Sequence, residues 1–574
     1  MRKLLLLSFL CFLSFTQLFA QTESAKDAVK NMGLGWNLGN TLDANNGAVK
    51  SPSEDGYWNC QGLESETCWG QYKATKELIT MMKNAGFGAI RVPVTWYQHI
   101  DKDGNINKEW LARVREVVDY VIDNDLYCII NVHHDTGADS ENHESWIKAD
   151  MDNYNANKAR FENLWKQIAT EFKDYDGKLL FGAFNEMLDV KNSWCYASMN
   201  ATGQYDEKIA KSAYDAINSY AQSFVDAVRS VGGNNSDRNL IINTYCAASG
   251  LGNWKPYLKD PLINLAYPKD SAKEHIIFEF HAYPELVRNG QKRSISDIKK
   301  DVDEYVDNAK THLMSKGAPV IIGEWGSSNV DKAGATDYDL HKDLYFQFVD
   351  YFIQQMKANG IGTFYWMGLS DAFFRSLPVF NQADLAERMA KAYHGSDFKG
   401  EYPTMDEVEE IVVWEDKLTL EWGTAITIPA DLVKTFDKDV RLNVTYTQDE
   451  GADYSMLQFW YGDWSEMINF NVDEKTYSAD FVPGDHYGTP QGTQHTTTFT
   501  FDEATYETIL KKGVLFQGHG ITVTKVTLSD SSTSSLNKIH EAQESDIWYN
   551  IFGHPVSAPT SGIYIHNGKT VLVN

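Results

Sequence analysis

The chain is short of positive charge. Its 574 residues include 52 Lys and Arg against 79 Asp and Glu, which leaves a net charge of −27. This deficit argues against binding to nucleic acid or to an anionic membrane, because both need basic protein surfaces. The net charge would have no effect on binding to a neutral polymer. Aromatic residues, in contrast, make up 13% of the chain, and flat rings of this kind fill protein cores or cover the apolar faces of sugars.

Cysteine is also scarce, and no Cys/His spacing resembles a zinc site, so we expect no metal and no other cofactor. Five cysteines follow the N-terminal region: Cys60, Cys68, Cys128, Cys195 and Cys246. An odd number allows at most two disulfides and leaves one free thiol. Cys60 and Cys68 flank a short polar loop and are the best candidate pair, whereas Cys128 lies within an apolar strand.

Long hydrophobic runs are absent after the first twenty residues. Residues 1–20 begin with Arg2 and Lys3, continue as an almost wholly apolar run and end at Ala20. This arrangement predicts a cleaved signal peptide. No later stretch is apolar enough to cross a bilayer, so we expect a secreted or cell-surface protein without membrane insertion.

A chain of this length predicts two to four domains, and the first covers residues 21–398. Within it, apolar strands are predicted near 33–38, 89–94, 127–132, 179–184, 240–244, 276–280, 320–323 and 363–367. Helical patterns lie between them at 75–84, 108–124, 157–172, 208–230, 298–315 and 338–359. Eight β-α units in succession predict an α/β fold, a (β/α)8 TIM barrel.

Two of these strands end in a glutamate. The strand at 179–184 leads into Asn185 and Glu186, and the strand at 320–323 leads into Glu324. Catalytic groups lie at the carboxyl ends of the strands in such barrels, and two carboxylates about 5 Å apart carry out retaining glycoside hydrolysis. The alternative is that each glutamate only caps the next helix or forms a salt bridge in a loop.

Other strand ends carry further candidate side chains: Asn37, Arg91, His133, His134, His281, Tyr283 and Trp366. Each has a structural alternative, such as a buried ion pair, a core histidine or a packing tryptophan. Seven of the eight strands contribute to the same barrel face, and because burying each polar group costs desolvation, a shared site explains them better. Six tryptophans are candidates for lining its groove, or for ordinary packing: Trp58, Trp69, Trp96, Trp146, Trp194 and Trp325.

Several motifs together resemble glycoside hydrolase family 5, the cellulase family A. They are GWNLGNTLDA (35–44), ETCWG (66–70), IRVPVTWYQHI (90–100), IINVHHD (129–135), FNE (184–186), HAYPE (281–285) and IIGEWG (321–326). The resemblance covers about residues 28–395 and is greatest to bacterial endoglucanases that begin with GWNLGN. It implies a TIM barrel that hydrolyses β-1,4-linked glucans or related β-glycans with retention. It further implies that Glu186 is the acid/base and Glu324 the nucleophile.

The same resemblance implies substrate contacts for Arg91, His133, Asn185, His281, Tyr283 and Trp366, with His134 an additional match; Asn37 is a further candidate. Chemically, Arg91 and Tyr283 would hold Glu324 ionised, and Asn185 would bind a sugar 2-hydroxyl. Trp366 would offer a stacking floor, and His281 would orient Glu186.

Three motifs depart from the family pattern and leave the substrate open. Met187 follows Glu186 in place of the usual proline. Gly182 and Ala183 stand where relatives often have an acidic residue and a glycine, and residues 364–371 read FYWMGLSD instead of the more usual Trp-Asp-Asn-Gly type of ending. Cellulose, xyloglucan, mixed-linkage glucan and mannan all remain candidates. A different class is a non-catalytic surface protein that binds glycans on the same scaffold, although the presence of both glutamates argues against it.

From residue 402 to 530 the pattern alternates with period two, which predicts a β-sandwich. It is similar to the jelly-roll modules that accompany bacterial polysaccharide hydrolases, and it is a candidate carbohydrate-binding module. Five aromatic residues either form a sugar platform or belong to the core of the sandwich: Trp414, Trp422, Trp460, Tyr461 and Trp464.

Residues 531–546 form a Ser-rich linker. Residues 547–574 resemble the C-terminal sorting tails of proteins exported across the outer membrane of some Gram-negative bacteria, and they imply contact with that secretion machinery. The alternative is a hairpin closed by Asn567-Gly568. We expect the whole protein to be a monomer whose partner is a β-glucan polysaccharide.

Overall fold

The computed structural model describes residues 23–45, 62–139, 145–199, 204–327, 336–405, 410–434, 440–473 and 475–529, with four short strands beyond them. The chain divides into two units between Pro403 and Thr404. The predicted signal peptide, Cys60 and Trp58 lie outside the described residues. No helix in the described ranges is long and apolar enough to cross a membrane.

Eight parallel strands close into a barrel in the first unit. They are β1 (Leu34–Asn37), β2 (Ala89–Val92), β3 (Tyr127–Asn131), β4 (Leu179–Gly182), β5 (Leu240–Asn243), β6 (Ile276–Ala282), β7 (Val320–Trp325) and β8 (Gly362–Tyr365). Every residue in them is buried, as the unbroken apolar runs require. Strand β8 returns to β1, with Leu34 opposite Thr363, so the predicted (β/α)8 barrel is confirmed.

Helices connect the strands: α1 (Ala25–Asn31), α2 (Lys76–Asn84), α3 (Lys108–Asp123), α4 (Met151–Glu171), α5 (Glu207–Val231), α6 (Asp260–Ile263), α7 (Ile295–Asn308), α8 (Thr336–Ala358) and α9 (Ala383–His394). Several begin at a side chain that accepts a hydrogen bond from the first turn, as Thr75 does for α2 and Asp206 for α5. Such caps satisfy otherwise unpaired backbone N–H groups. Asp150 caps α4 in this way, which explains why that helix begins before the predicted residue 157.

Helix α1 lies at the amino ends of the barrel strands. The backbone N–H of Ala25 donates to the carbonyl of Glu274, just before β6. The buried side chains of α1 share one apolar cluster with residues from the first half of several strands, among them Tyr127 and Leu180. One end of the barrel is thus filled by apolar packing, so the polar strand-end residues lie at the opposite end.

Between Glu410 and Ser529, the described residues of the second unit form two four-stranded antiparallel sheets. The first has the order β9 (Glu410–Leu420), β18 (Ile521–Ser529), β11 (Arg441–Gln448) and β16 (Gln494–Phe499); the second has β10 (Ala425–Ile428), β17 (Val514–His519), β12 (Met456–Tyr461) and β15 (Asp480–Phe481). Strands β13 (Asn469–Val472) and β14 (Lys475–Ser478) pair separately.

Aromatic contacts join these two sheets. Phe459 of β12 meets Phe499 of β16 with ring centroids 4.6 Å apart. Antiparallel β-structure in this region is therefore confirmed, while the likeness to a jelly roll stays a prediction. A ten-residue helix, Glu503–Lys512, also lies here; the period-two pattern did not predict it, and Asp502 caps its first turn.

Past residue 529, the described backbone consists of Trp548–Asn550, Pro555–Val556, Gly562–His566 and Lys569–Val573, which form one antiparallel sheet. The last two strands pair with each other, Gly562 opposite Val573. This pairing fits the hairpin alternative, and the resemblance to a sorting tail stays a prediction.

Candidate active site

Glu324 lies on β7 near the carboxyl end of the barrel, and two side chains from other strands bind its carboxylate. Arg91 Nη1 donates to Oε1 at 3.0 Å, and the hydroxyl of Tyr283 donates to Oε2 at 2.9 Å. Charge-assisted hydrogen bonds of this kind favour the ionised form of a carboxyl group. Both carboxylate oxygens are thus held, and the group is fixed in orientation.

Glu186 follows β4 and faces Glu324 across the site. A carboxylate oxygen of Glu186, one of Glu324 and a ring nitrogen of His281 all lie within 4.8 Å of one another. The side chain of Glu186 is 25% exposed, against 7% for that of Glu324. The separation matches the short distance of about 5–5.5 Å found between the carboxyl groups of retaining glycosidases, and it is shorter than the distance of about 6.5–9.5 Å found in inverting enzymes.

His281 joins the two glutamates. Its Nδ1 lies 2.8 Å from Glu186 Oε1 and 3.5 Å from Glu324 Oε2. Burial lowers the pKa of His281, but the carboxylates around it outweigh that effect and raise its pKa to about 9. The imidazole therefore carries a positive charge at neutral pH and donates to Glu186.

Two carboxyl groups this close do not both ionise at the same pH. Burial raises the pKa of Glu324; His281 and Arg91 oppose this rise, and Glu186 adds to it. Glu324 is the better-placed anion, because it accepts bonds from Arg91 and Tyr283 on both oxygens.

Arg91, from β2, donates hydrogen bonds to several side chains at the base of the site. Its Nη1 also donates to Asn37 Oδ1 at 3.0 Å, and its Nη2 donates to Asn185 Oδ1 at 2.9 Å. Asn37 is fully buried and donates its own amide to the carbonyl of Gly323 at 2.9 Å. The structure therefore places Asn37 beneath Arg91 as a support, whereas Asn185 lies beside Glu186.

His133 and Trp366 form one wall. Their rings are nearly parallel, at 7°, with centroids 5.8 Å apart. Burial lowers the pKa of His133 well below its usual value, so this imidazole is neutral. His134 is more exposed: its Nε2 lies 3.7 Å from Asp43 Oδ2, and its ring lies 5.2 Å from that of Trp69. All ten predicted site residues thus lie at the same end of the barrel.

One buried acid was missed from the sequence. Glu279, within β6, lies 3.1 Å from Arg91 Nη2 and 3.3 Å from His281 Nε2. Burial raises the pKa of Glu279, but Arg91 and His281 outweigh it and the pKa is lowered overall. A signal was available: Glu279 stands two residues before His281, and residues at that spacing share one face of a strand.

Glycine at position 323 makes room for this acid. A Cβ built on Gly323 would lie 1.7 Å from Glu279 Oε1 and 2.4 Å from its Cδ. No side chain fits there unless the carboxylate moves. The residue before the nucleophile candidate is therefore part of the arrangement that holds Arg91 and His281.

A cleft of about 390 Å³ continues from Glu186 to the loops after β4 and β5. Its walls include Trp194 and Trp254, which are 44% and 54% exposed. Trp254 was not among the predicted groove residues. Trp96 and Trp325, which were, are fully buried and belong to the core, because sequence spacing alone does not tell an inward-facing ring from one that lines a groove.

Two of the four described cysteines lie next to this site. Cys68 is disulfide-bonded, while Cys128, Cys195 and Cys246 are free. Cys195 and Cys246 line the cleft beside Trp194. Cys60, the predicted partner of Cys68, is outside the described ranges.

Comparison with known proteins relates this arrangement to one family. A sequence profile of the cellulase family, glycosyl hydrolase family 5, matches residues 49–370, more than half of the chain. Endoglucanase A of Clostridium longisporum is 32% identical over 356 residues, which cover 60% of this chain and 60% of that protein. The chain therefore matches about three fifths of the length of that curated relative.

Two solved structures are also similar. A GH5-4 broad-specificity endoglucanase from an uncultured bacterium is 59% identical with a TM-score of 0.62, over 66% of this chain and 98% of that one. A family 5 glycoside hydrolase from Prevotella bryantii B14, solved with a xyloglucan tetradecasaccharide, is 38% identical with a TM-score of 0.54, over 65% and 99%.

Proposed function

This chain belongs to the cellulase family, glycosyl hydrolase family 5, and from that premise we propose that it is a retaining endo-β-1,4-glucanase that cleaves internal bonds of cellulose-type polysaccharide. One observation carries the proposal. Carboxylate oxygens of Glu186 and Glu324, delivered by strands β4 and β7, lie within 4.8 Å of each other, as double displacement requires.

In the first step, the Glu324 carboxylate attacks the anomeric carbon while Glu186 gives its proton to the glycosidic oxygen. The C–O bond breaks, the shortened glucan leaves, and a glycosyl ester forms on Glu324. Arg91 and Tyr283 keep the nucleophile ionised and aimed, since each donates to one of its oxygens. Asn185 would bind the sugar 2-hydroxyl, a bond that strengthens in the transition state.

In the second step, Glu186, now ionised, takes a proton from a water molecule. The resulting hydroxide attacks the anomeric carbon, and Glu324 leaves as a carboxylate. Protonated His281 compensates the negative charge on Glu186 between the two steps, because its Nδ1 lies 2.8 Å from that carboxyl group. Two inversions give a product with the configuration of the substrate.

We further propose that the enzyme accepts more than one β-glucan. The similar structure with 59% identity is described as a broad-specificity endoglucanase, and the one from Prevotella bryantii holds a xyloglucan fragment. The exposed rings of Trp194 and Trp254 beside Glu186 offer stacking surfaces for the leaving part of the chain. Xyloglucan and mixed-linkage glucan are therefore included as substrates.

The proposed place of action is outside the cell, where such polymers occur. The predicted signal peptide supports this proposal, and so does the disulfide at Cys68, because disulfides persist in oxidising compartments. A non-catalytic glycan-binding role is disfavoured, since both glutamates and the residues that orient them are present and in contact.

Stereochemistry tests the proposal. Proton NMR of early hydrolysis should show the β-anomer of the new reducing end before mutarotation, on cellulose oligomers, xyloglucan and mixed-linkage glucan alike. Glu324→Ala is the matched control and should give no product. An α-anomer appearing first, or no hydrolysis of any of these glucans, would overturn the assignment.

A further inference from the structure

An exposed aromatic surface lies on the second unit, away from the catalytic residues in sequence. Trp422 follows β9, Tyr454 precedes β12, and His519 ends β17. Trp422 and Tyr454 are 42% and 43% exposed. Three segments from two sheets therefore bring these rings together at the surface.

Hydrogen bonds fix the orientation of these rings. Trp422 Nε1 donates to the hydroxyl of Tyr454 at 2.8 Å. His519 Nδ1 lies 3.0 Å from Glu421 Oε2, and its Nε2 lies 2.9 Å from Asp453 Oδ1. The bond to Asp453 raises the pKa of His519, as expected for an imidazole that donates to an acid on each side.

The result is an aromatic surface that is ordered before any ligand arrives. The rings of Trp422 and His519 are within 8° of parallel, with centroids 6.5 Å apart, and Tyr454 lies 4.5 Å from His519. Aromatic anchors that are already held in place lose little conformational freedom on binding. Because these rings are exposed and held by hydrogen bonds, they suit a ligand with flat apolar faces.

We propose that Trp422, Tyr454 and His519 form a binding surface for a neutral β-glucan chain. Sugar rings would stack on the aromatic faces, while sugar hydroxyls donate to Glu421 and Asp453, whose side chains are 64% and 77% exposed. The two acids disfavour anionic polymers such as polyuronates. The choice of a glucan rests on the proposed function of the barrel.

The other aromatic group named from the sequence is less suited to this task. Trp460 and Trp464 meet at 53° with centroids 5.7 Å apart, so the two rings do not share one face. Lys512 Nζ lies 5.5 Å above the ring of Tyr461 and covers it. Trp464 is 45% exposed, which makes it a matched control for the loss of an exposed tryptophan.

The test uses the full chain with Glu324→Ala, so that hydrolysis does not remove the ligand. Depletion from solution by insoluble cellulose is measured for this parent, for Trp422→Ala with Tyr454→Ala, and for Trp464→Ala. We expect the double variant to bind about tenfold more weakly and the Trp464 variant to bind within about twofold of the parent. Trp422→Phe, which keeps a ring, should retain most of the binding.

Two results would overturn the proposal: equal binding by the double variant and the parent, or weaker binding by the Trp464 variant alone. The same substitutions are also made with Glu324 intact and assayed on soluble glucan, where no loss is expected. Unchanged soluble activity without any binding difference refutes only this surface, whereas absence of hydrolysis by the intact enzyme refutes the proposed function. Thermal unfolding of each variant shows whether a loss of binding comes from misfolding. If the double variant is misfolded, the binding of Trp422→Phe tests the proposal instead.

Discussion

Gly323→Ala is expected to lower both stability and activity, because the added methyl group would displace Glu279 below the active site. The added Cβ would lie 1.7 Å from Glu279 Oε1, and ordinary contact requires about 3.5 Å. The carboxylate is the end of a flexible side chain, but it is fully buried and held by Arg91 at 3.1 Å and His281 at 3.3 Å. It must therefore move by roughly 2 Å, which breaks both contacts.

The expected loss of stability follows from the burial of these charged side chains. Breaking a buried ion pair costs about 3–5 kcal/mol, which corresponds to a fall of roughly 4–6 °C in the melting temperature of a unit this large. Arg91 also holds Glu324, so a shift of the guanidinium moves the proposed nucleophile. A misplacement of about 1 Å in an active site costs on the order of a hundredfold in rate, and we expect at least that loss in kcat.

A double-mutant cycle isolates the cause. Glu279→Ala removes the obstructing side chain and is itself expected to destabilise, because it leaves Arg91 and His281 without their shared anion. In that background Gly323→Ala should cost less than about 1 kcal/mol, so the two changes are strongly non-additive. Calorimetry of the barrel transition and initial rates on soluble glucan provide the measurements. An equal cost for Gly323→Ala in both backgrounds would refute the steric explanation.

Two further predictions concern the catalytic groups. Glu186→Ala should keep appreciable activity on an aryl glycoside with a good leaving group, which needs little protonation, whereas Glu324→Ala should lose activity on both aryl glycoside and polymer; the opposite pattern in initial rates would reverse the two roles. The folded pKa of His281, about 9, lies above its unfolded value of about 6.5, so its stabilisation of about 3 kcal/mol is fully present below pH 6.5 and is lost as pH rises through 9; the fall in melting temperature over this range should be larger in the wild type than in His281→Gln, and equal falls would contradict this.

Much of the barrel could be predicted because its strands are buried on both faces, so that each appears as an unbroken apolar run. The site residues could be found for the related reason that polar groups stand where those runs end. Glu279 escaped notice because it lies inside a run, between Phe278 and Phe280. Its charge is compensated by Arg91, a partner almost 190 positions away whose proximity only the closed barrel creates.

The surroundings of the aromatic residues could not be predicted from the sequence. Trp325 directly follows the nucleophile candidate, yet its ring packs against Phe352 in the core. Trp422 and His519 stand nearly a hundred residues apart, and no spacing rule relates them. Which rings share a surface depends on sheet order, and sheet order in antiparallel structures is set by long-range pairing that local patterns do not encode.

The pairing of β1 with β8 has a consequence for how the protein is made. The strand containing Leu34 is synthesised early and must wait for its neighbour, which contains Thr363. Until Tyr365 has emerged from the ribosome, the nascent sheet keeps two open parallel edges, on β1 and β7, and such edges readily pair with other chains. A fragment cut short before Gly362 is therefore expected to aggregate, so that chains lacking β8 would not be partially active.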